Sequence, residues 1–269
     1  MKSRIVFFAL ATTLAMALNS YASFQDPDNT SEKPLYHVVG NEGSVVGTIT
    51  VSGELPPAKK IDMSADPACL QLTNEPTVDA LLTNAGKLQN AFVYIKEGDA
   101  LNTYRFEEPD SDAVLAHKNC QFSPHVLGLR VRQPFMIVNA DPTTHNTHAI
   151  PRNNPEWNLS LPPGAPPFPK FFRRPELLIP VKDNQHPWER AYIGVVDHPF
   201  FAVTDEQGNY EIRGLPPGKY KLVIWHEMLG EQEMELTLQA NESRKLDAMF
   251  DGAKANDKRN SSSTVLLPD

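Results

Sequence analysis

Asn139 to His148 reads N-A-D-P-T-T-H-N-T-H, and Val181 to Glu189 reads V-K-D-N-Q-H-P-W-E. The first stretch follows an apolar run, Phe135 to Val138, and places His145 and His148 just beyond it. The second places His186 in a tight loop between Leu178–Val181 and Ala191–Val195. Two loops, each leaving a strand-like run and each carrying imidazole, are a means by which a β-sandwich assembles a metal site at one end. Imidazole is the commonest protein metal ligand near neutral pH. Asp183 and Glu189 flank His186 three residues to either side, so a compact loop presents all three inward. With His145 they offer two nitrogens and two carboxylate oxygens. That set suits a divalent ion, copper or zinc among the candidates. The opposing reading of the same residues is solvated loop carboxylates beside ordinary hydrogen-bonded histidines.

The pattern resembles the cupredoxins, most of all the amicyanin type, which carry H-N-x-H after one strand and a short C-x-x-H-x-x-M loop before the last. On that resemblance His145 corresponds to the upstream ligand and His186 to the downstream one. Asp183 stands at the Cys position and Glu189 at the Met position. The resemblance implies a Greek-key sandwich. The two replacements exclude a blue type 1 copper centre, whose electronic structure needs the thiolate. A wider resemblance, over roughly residues 43–238, is to secreted bacterial proteins of the methylamine-utilisation type. These join a cupredoxin-like unit to a carboxypeptidase-regulatory-like (transthyretin- or immunoglobulin-type) sandwich. T-D-E-Q-G-N-Y-E-I-R-G-L-P-P-G-K-Y-K-L, Thr204 to Leu222, resembles that second family closely. Gly208 is expected to supply a positive-φ turn there.

Alternation of apolar and small polar residues predicts strands over Ser44–Ser52, Leu88–Lys96, Ala113–Ala116, Val126–Val131, Phe135–Asn139, Glu176–Val181 and Ala191–Val196. Further strands are predicted over Phe201–Thr204, Tyr210–Arg213, Lys219–Trp225 and Glu233–Leu238. No long amphipathic helix and no repeat at fixed period interrupts them, so the class is all-β. The expected organisation is a signal peptide over 1–22 and a linker over 23–40. N-terminal strands over 41–98 follow, then a cupredoxin-like unit over 99–198, a regulatory-like segment over 199–246 and a disordered tail over 247–269. Residues from about 43 to 98 either join 199 to 240 in one sandwich with the cupredoxin-like unit inserted, or belong to the first of two sandwiches in series. Seven prolines fall between Pro155 and Pro175. They rule out a central strand and leave either an excursion that lids the metal loops or a polyproline connector.

Lys2 and Arg4, the apolar Ile5–Leu18 and the small residues Ser20 and Ala22 read as a secretory leader, which predicts a periplasmic or secreted protein. Losing those two cations takes the net charge from −8 to −10. Such a balance argues against nucleic acid and anionic membrane as partners, and no later run reaches membrane length. The partner is left open between a redox or cell-envelope protein and a glycan. Two cysteines, Cys69 and Cys120, in an exported chain favour a disulfide over a pair of soft metal ligands, and the resemblance implies that they pair. Closing such a loop contributes on the order of 3–4 kcal/mol.

His148, if its segment is extended, faces away from His145 and becomes a supporting group or an alternative ligand. His125 in S-P-H-V and His226 in I-W-H-E-M are further alternative ligands, although their apolar flanks fit hydrogen-bonded core imidazoles better. No G-x-S-x-G, H-E-x-x-H, phosphate loop or paired catalytic carboxylate motif occurs, so no enzyme activity is expected. The sequence therefore points to an exported metal-binding protein without type 1 copper. The competing class is a non-catalytic carbohydrate- or protein-binding module with a degenerate site.

Overall fold

The computed structural model describes residues 33–55, 57, 60–72, 81, 83–109 and 112–255. The leader expected over 1–22, the first part of the linker and the tail beyond 255 lie outside the described residues. The strands in chain order are β1 (Gly43–Ser52), β2 (Thr83–Asn84), β3 (Lys87–Leu88), β4 (Phe92–Gly98), β5 (Ala113–His117), β6 (Phe122–Ser123), β7 (Val126–Arg130), β8 (Phe135–Asn139) and β9 (His145–Ala149). They continue as β10 (Trp157–Leu161), β11 (Phe168–Lys170), β12 (Glu176–Lys182), β13 (Arg190–Val196), β14 (Phe201–Val203), β15 (Asn209–Leu215), β16 (Gly218–His226), β17 (Gly230–Leu238), β18 (Ser243–Lys245) and β19 (Ala248–Asp251). Two short helices, α1 (Pro67–Leu72) and α2 (Asp99–Thr103), accompany them. The protein is all-β.

Strand pairing sorts these elements into four sheets and two sandwiches. In the first sandwich one sheet runs β15-β1-β3-β2, with β18 and β19 also paired to β1, and the other runs β14-β4-β16-β17. Their shared core holds Val45, Ile49, Val93, Ile95, Ile212, Leu222, Ile224 and Phe250. β1 alternates buried and half-buried residues along its length, as a strand with one face in a core must. It is central because it pairs antiparallel with β15, Thr48 opposite Asn209, and parallel with β19, Ile49 opposite Ala248. Strands from both ends of the described chain thus build one sandwich, and 113–196 forms the other. Gly208 takes the positive φ its turn needs, +71°, and Asp205 Oδ1 accepts the N–H groups of Gln207 and Asn209.

In the second sandwich β10-β9-β12-β13-β7 faces β11-β8-β5-β6. Leu115, Leu129, Phe135, Ile137, Ile179, Val181 and Ile193 lie between the sheets. The two sandwiches meet across a third apolar layer, where Phe92, Tyr94 and Val223 pack on Val126 and Val196.

Three expectations are corrected. The stretch after Asp247 is not disordered as far as it is described: β19 pairs with β1 and buries Phe250 completely, because one large aromatic anchors an otherwise polar segment. The linker ends earlier than residue 40, since Leu35 bridges to Arg105 and the Tyr36 ring packs 5.1 Å from that of Tyr104. The proline-rich stretch supplies two sheet-edge strands, β10 on β9 and β11 on β8, where Pro169 is tolerated because one side of an edge strand needs no partner.

Candidate metal centre

Three imidazoles from three elements converge at one end of the second sandwich. His117 closes β5 in one sheet. Its inward direction follows from alternation, with Leu115 and His117 both buried. His145 opens β9 in the opposite sheet, and the two rings stack across the gap at 4.4 Å and 8°. The segment carrying His145 and His148 is thus a strand rather than a loop. His186 arrives on the loop joining β12 to β13, with its ring 4.6 Å from that of His145.

The loop holds its shape through its own acidic residue. Asp183 Oδ1 accepts the N–H groups of Gln185 (2.7 Å) and His186 (3.1 Å). Asp183 N–H donates to the Glu189 carbonyl, and Glu189 N–H donates to the His186 carbonyl. This closed turn leaves Asp183 Oδ2 and the Glu189 carboxylate aimed inward. Asp183 Oδ2 also accepts Asn146 N–H at 2.9 Å, which ties the loop to β9.

The nitrogens have a consistent polarity. All three Nδ1 atoms face the two inward carboxylates. His117 Nδ1 lies 2.8 Å from Glu189 Oε2, and His145 Nδ1 lies 3.0 Å from both Asp183 Oδ2 and Glu189 Oε1. His186 Nδ1 lies 3.0 Å from Asp183 Oδ2 and 3.8 Å from Glu189 Oε1. All three Nε2 atoms point outward, each to its own partner: Thr147 Oγ1 at 2.7 Å, Asp141 Oδ2 at 3.1 Å and Asp66 Oδ2 at 3.0 Å, respectively. Metal-binding histidines have this arrangement, with one nitrogen for the ion and the other fixed by a carboxylate or hydroxyl. Despite its 3.0 Å approach to His145 Nδ1, Glu189 Oε1 receives no aligned hydrogen bond. A buried carboxylate oxygen without a donor is costly.

A short cover closes the end of the sandwich over this cluster. It runs from Lys60 through α1 and carries Asp66, which also accepts from Thr143 Oγ1 at 2.7 Å. The structure pairs Cys69 in α1 with Cys120. Met63, Cys69 and Cys120 form a small buried cluster with Trp188 against it. Trp188 Nε1–H donates to the Cys120 carbonyl, and its ring lies 5.2 Å from that of His186. Of the two readings of the proline-rich stretch, a lid or a connector, the lid is not what the structure has at this cluster: 60–72 lies there, fixed by the disulfide. The sulfurs lie beside Asp66, His186, Asp141 and His145, but in disulfide linkage they are not thiolate donors.

The structure thus gathers His145, Asp183, His186 and Glu189, all buried. It adds His117, and behind them Asp141, Asp66 and Thr147. His148 is excluded: its Nε2 lies 2.6 Å from Glu156 and its Nδ1 3.3 Å from Asn184, on the outer side of β9. His125 pairs with Glu227 and belongs to none of the donor groups found among the described residues. In His226 the Nδ1 accepts Met228 N–H at 3.2 Å within its own turn.

Burial lowers the proton affinity of His145, but its three carboxylate neighbours outweigh this and push its pKa to about 11. His186 is raised for the same reasons, against burial and through Asp183 and Asp66. Burial pushes Asp183 up, but hydrogen bonds from His145, His186 and the backbone carry it well below the carboxylate range. Asp66 is held at about 2, chiefly by its bond to His186. Depressed carboxylates contribute stability that is present above their unfolded pKa, about 4, and lost as pH falls through the folded value. The raised histidines contribute below about 6.5, and this is lost only as pH rises toward 11. Metal-free protein is expected to keep its melting temperature at mildly acidic pH and to lose it steeply below about pH 4. A melting temperature indifferent to pH between about 5 and 2 would contradict this account of the cluster.

Among solved structures, a copper-containing nitrite reductase from Thermus scotoductus SA-01 is 18% identical over 38% of this chain and 26% of its own, with a TM-score of 0.30. The chain thus spans about a quarter of that enzyme's length. A purple cupredoxin from Nitrosopumilus maritimus is 21% identical over 31% of this chain and 99% of its own, with a TM-score of 0.27. An amicyanin variant in its reduced state is 16% identical over 39% and 98%, with a TM-score of 0.28. No family model matches the chain, and comparison with curated proteins finds no match. No helix among the described residues is long and apolar enough to cross a membrane.

Proposed function

We propose that this chain is an exported, non-catalytic metal-binding protein that holds one divalent ion in a sealed site without type 1 copper character. His117 and His145 would bind through Nδ1, and Asp183 and Glu189 through their inward oxygens, four donors that lie within 4.8 Å of one another; His186 Nδ1, 3.0 Å from Asp183 Oδ2, stands beside them as a further donor. The observation that carries the reading is the shared polarity of the three imidazoles. A purely structural hydrogen-bond network has no need to turn every Nδ1 to the same pair of carboxylates and give every Nε2 a separate outward partner. Glu189 Oε1, buried and without an aligned hydrogen bond, supports it, since an ion would take the place of the His145 N–H that now faces this oxygen at 3.0 Å. Two carboxylates also neutralise a divalent charge within the buried site.

Two or three imidazole nitrogens and two carboxylate oxygens form a borderline donor set. It suits Zn(II) and Cu(II), with copper the tighter by the general affinity order. With no thiolate in the set, a copper form should lack the intense visible colour of cupredoxins. Protein purified without chelator, then incubated with Zn(II) or Cu(II) and desalted, is expected to retain one equivalent by elemental mass spectrometry. Retention of none after reconstitution would instead favour the carbohydrate- or partner-binding module.

A further inference from the structure

We infer that the Cys69–Cys120 disulfide is the latch of this centre: by holding the 60–72 cover in place, it slows exchange of the bound ion. The inference rests on the metal-binding reading above.

The geometry behind it is specific. The two outer carboxylates that hold the imidazoles are each positioned by one half of the disulfide. Asp66 begins the turn that carries Cys69: Ala68 N–H donates to Asp66 Oδ1 at 2.8 Å, and Leu70 N–H donates to the Asp66 carbonyl. Asp141 is gripped from the other side, its Oδ2 by Cys120 N–H and its Oδ1 by Asn119 N–H, both at 2.8 Å. Asp66 then holds His186 Nε2, and Asp141 holds His145 Nε2. The disulfide therefore joins the outer supports of two ligands that come from different elements. The ligating side chains and both cysteines are buried. An ion leaving past α1 requires the cover to lift, and the bond tethers that cover to Cys120. Without it, the cover is retained by the Asp66 contacts to His186 and Thr143 and by burial of Met63 and its neighbours.

Closure is an ordinary exchange. Two thiols lose two electrons and two protons to a disulfide oxidant, which becomes a dithiol. Opening reverses this, with a dithiol as reductant. Because the sulfurs are buried, reduction of the folded, closed form should be slow.

The test is a chase on the full chain. Wild type, the Cys69→Ser/Cys120→Ser double variant and Asp66→Asn are each loaded with Zn(II), and stoichiometry is read by native mass spectrometry. Excess EDTA is then added and zinc release is followed. Removing outer supports of metal ligands typically costs about 10–100-fold in affinity. Asp66→Asn, which removes one outer support and keeps the bond, is accordingly expected to release zinc at least about tenfold faster than wild type. The double-serine variant, which keeps both supports and frees the cover, is also expected to release zinc faster than wild type. Release from the double-serine variant at the wild-type rate, each having bound one zinc, overturns the latch, whatever Asp66→Asn does, and leaves the metal site standing. Failure of wild type to bind zinc, whether oxidised or reduced by dithiothreitol, overturns both. Should the double-serine variant not fold, wild type reduced by dithiothreitol is compared with the oxidised form in the same chase, and equal rates again overturn the latch.

Discussion

Asp183→Ala is expected to abolish stoichiometric metal retention, a loss in affinity of at least about a hundredfold. The magnitude follows from how much converges on one side chain. Its Oδ2 lies 3.0 Å from both His145 Nδ1 and His186 Nδ1 and accepts Asn146 N–H, while its Oδ1 organises the loop through Gln185 and His186. The substitution removes a candidate ligand, frees the loop that presents His186 and Glu189, and leaves two imidazoles beside a void. Asp183→Asn separates these effects. It can keep the turn through its carbonyl oxygen, while losing the charge that a divalent ion requires. Elemental analysis after desalting, with circular dichroism as the folding control, reads both variants. If Asp183→Ala retained one equivalent, Asp183 would be removed from the ligand set. If Asp183→Asn bound as tightly as wild type, the site would not depend on that charge.

This variant can be named from sequence because Asp183, His186 and Glu189 sit three residues apart in one short loop, and His145 sits at the mouth of a strand. Local spacing carried those four. His117 was not legible in that way. It lies in A-V-L-A-H, a run whose only signal is period-two alternation placing Leu115 and His117 on one face. A histidine on the inward face at a strand's last residue is a ligand only if another sheet brings a partner opposite, and sequence does not state which sheets oppose. Asp66 and Asp141 were invisible for a different reason. An aspartate before a proline is commonplace at turns, and only the disulfide brings D-P-A-C in 66–69 over D-P in 141–142.

Much of the strand content was legible because most strands have one dry and one wet face, which writes alternation into the residues. The exceptions follow the same logic. β10 and β11 are edge strands rich in or flanked by proline, where alternation is weak. β18 is exposed throughout and exists because β1 offers its edge. In β19 a single residue, Phe250, supplies the burial.

Gly194→Ala is expected to destabilise the protein by about 1–3 kcal/mol, and Phe92→Ala by about 3–5 kcal/mol. These two residues form one device at the seam between the sandwiches. Phe92 on β4 is fully buried, with its ring stacked 5.8 Å from that of Phe201. A methyl group added at Gly194 on β13 would meet that ring at 2.6 Å, and one added at Gly128 on β7 would meet the Phe201 ring at 2.4 Å. Two glycines on adjacent strands, paired Gly194 to Gly128 in register, thus open a trough in one sheet, and two aromatics of the other sandwich lie in it. Neither glycine is there for its backbone freedom, because neither has a positive φ. Phe92 cannot swing aside, since Tyr94, Val126, Val196 and Val223 pack in the same layer. The signature is therefore coupling rather than mere loss. Phe92→Leu in the Gly194→Ala background should relieve the clash, so the double variant should be less destabilised than the sum of the singles, by about 0.5–3 kcal/mol. Denaturant unfolding of the four proteins closes the cycle. Strict additivity would mean that the ring and the glycine do not interlock, and the seam would then be a loose contact between two independent sandwiches.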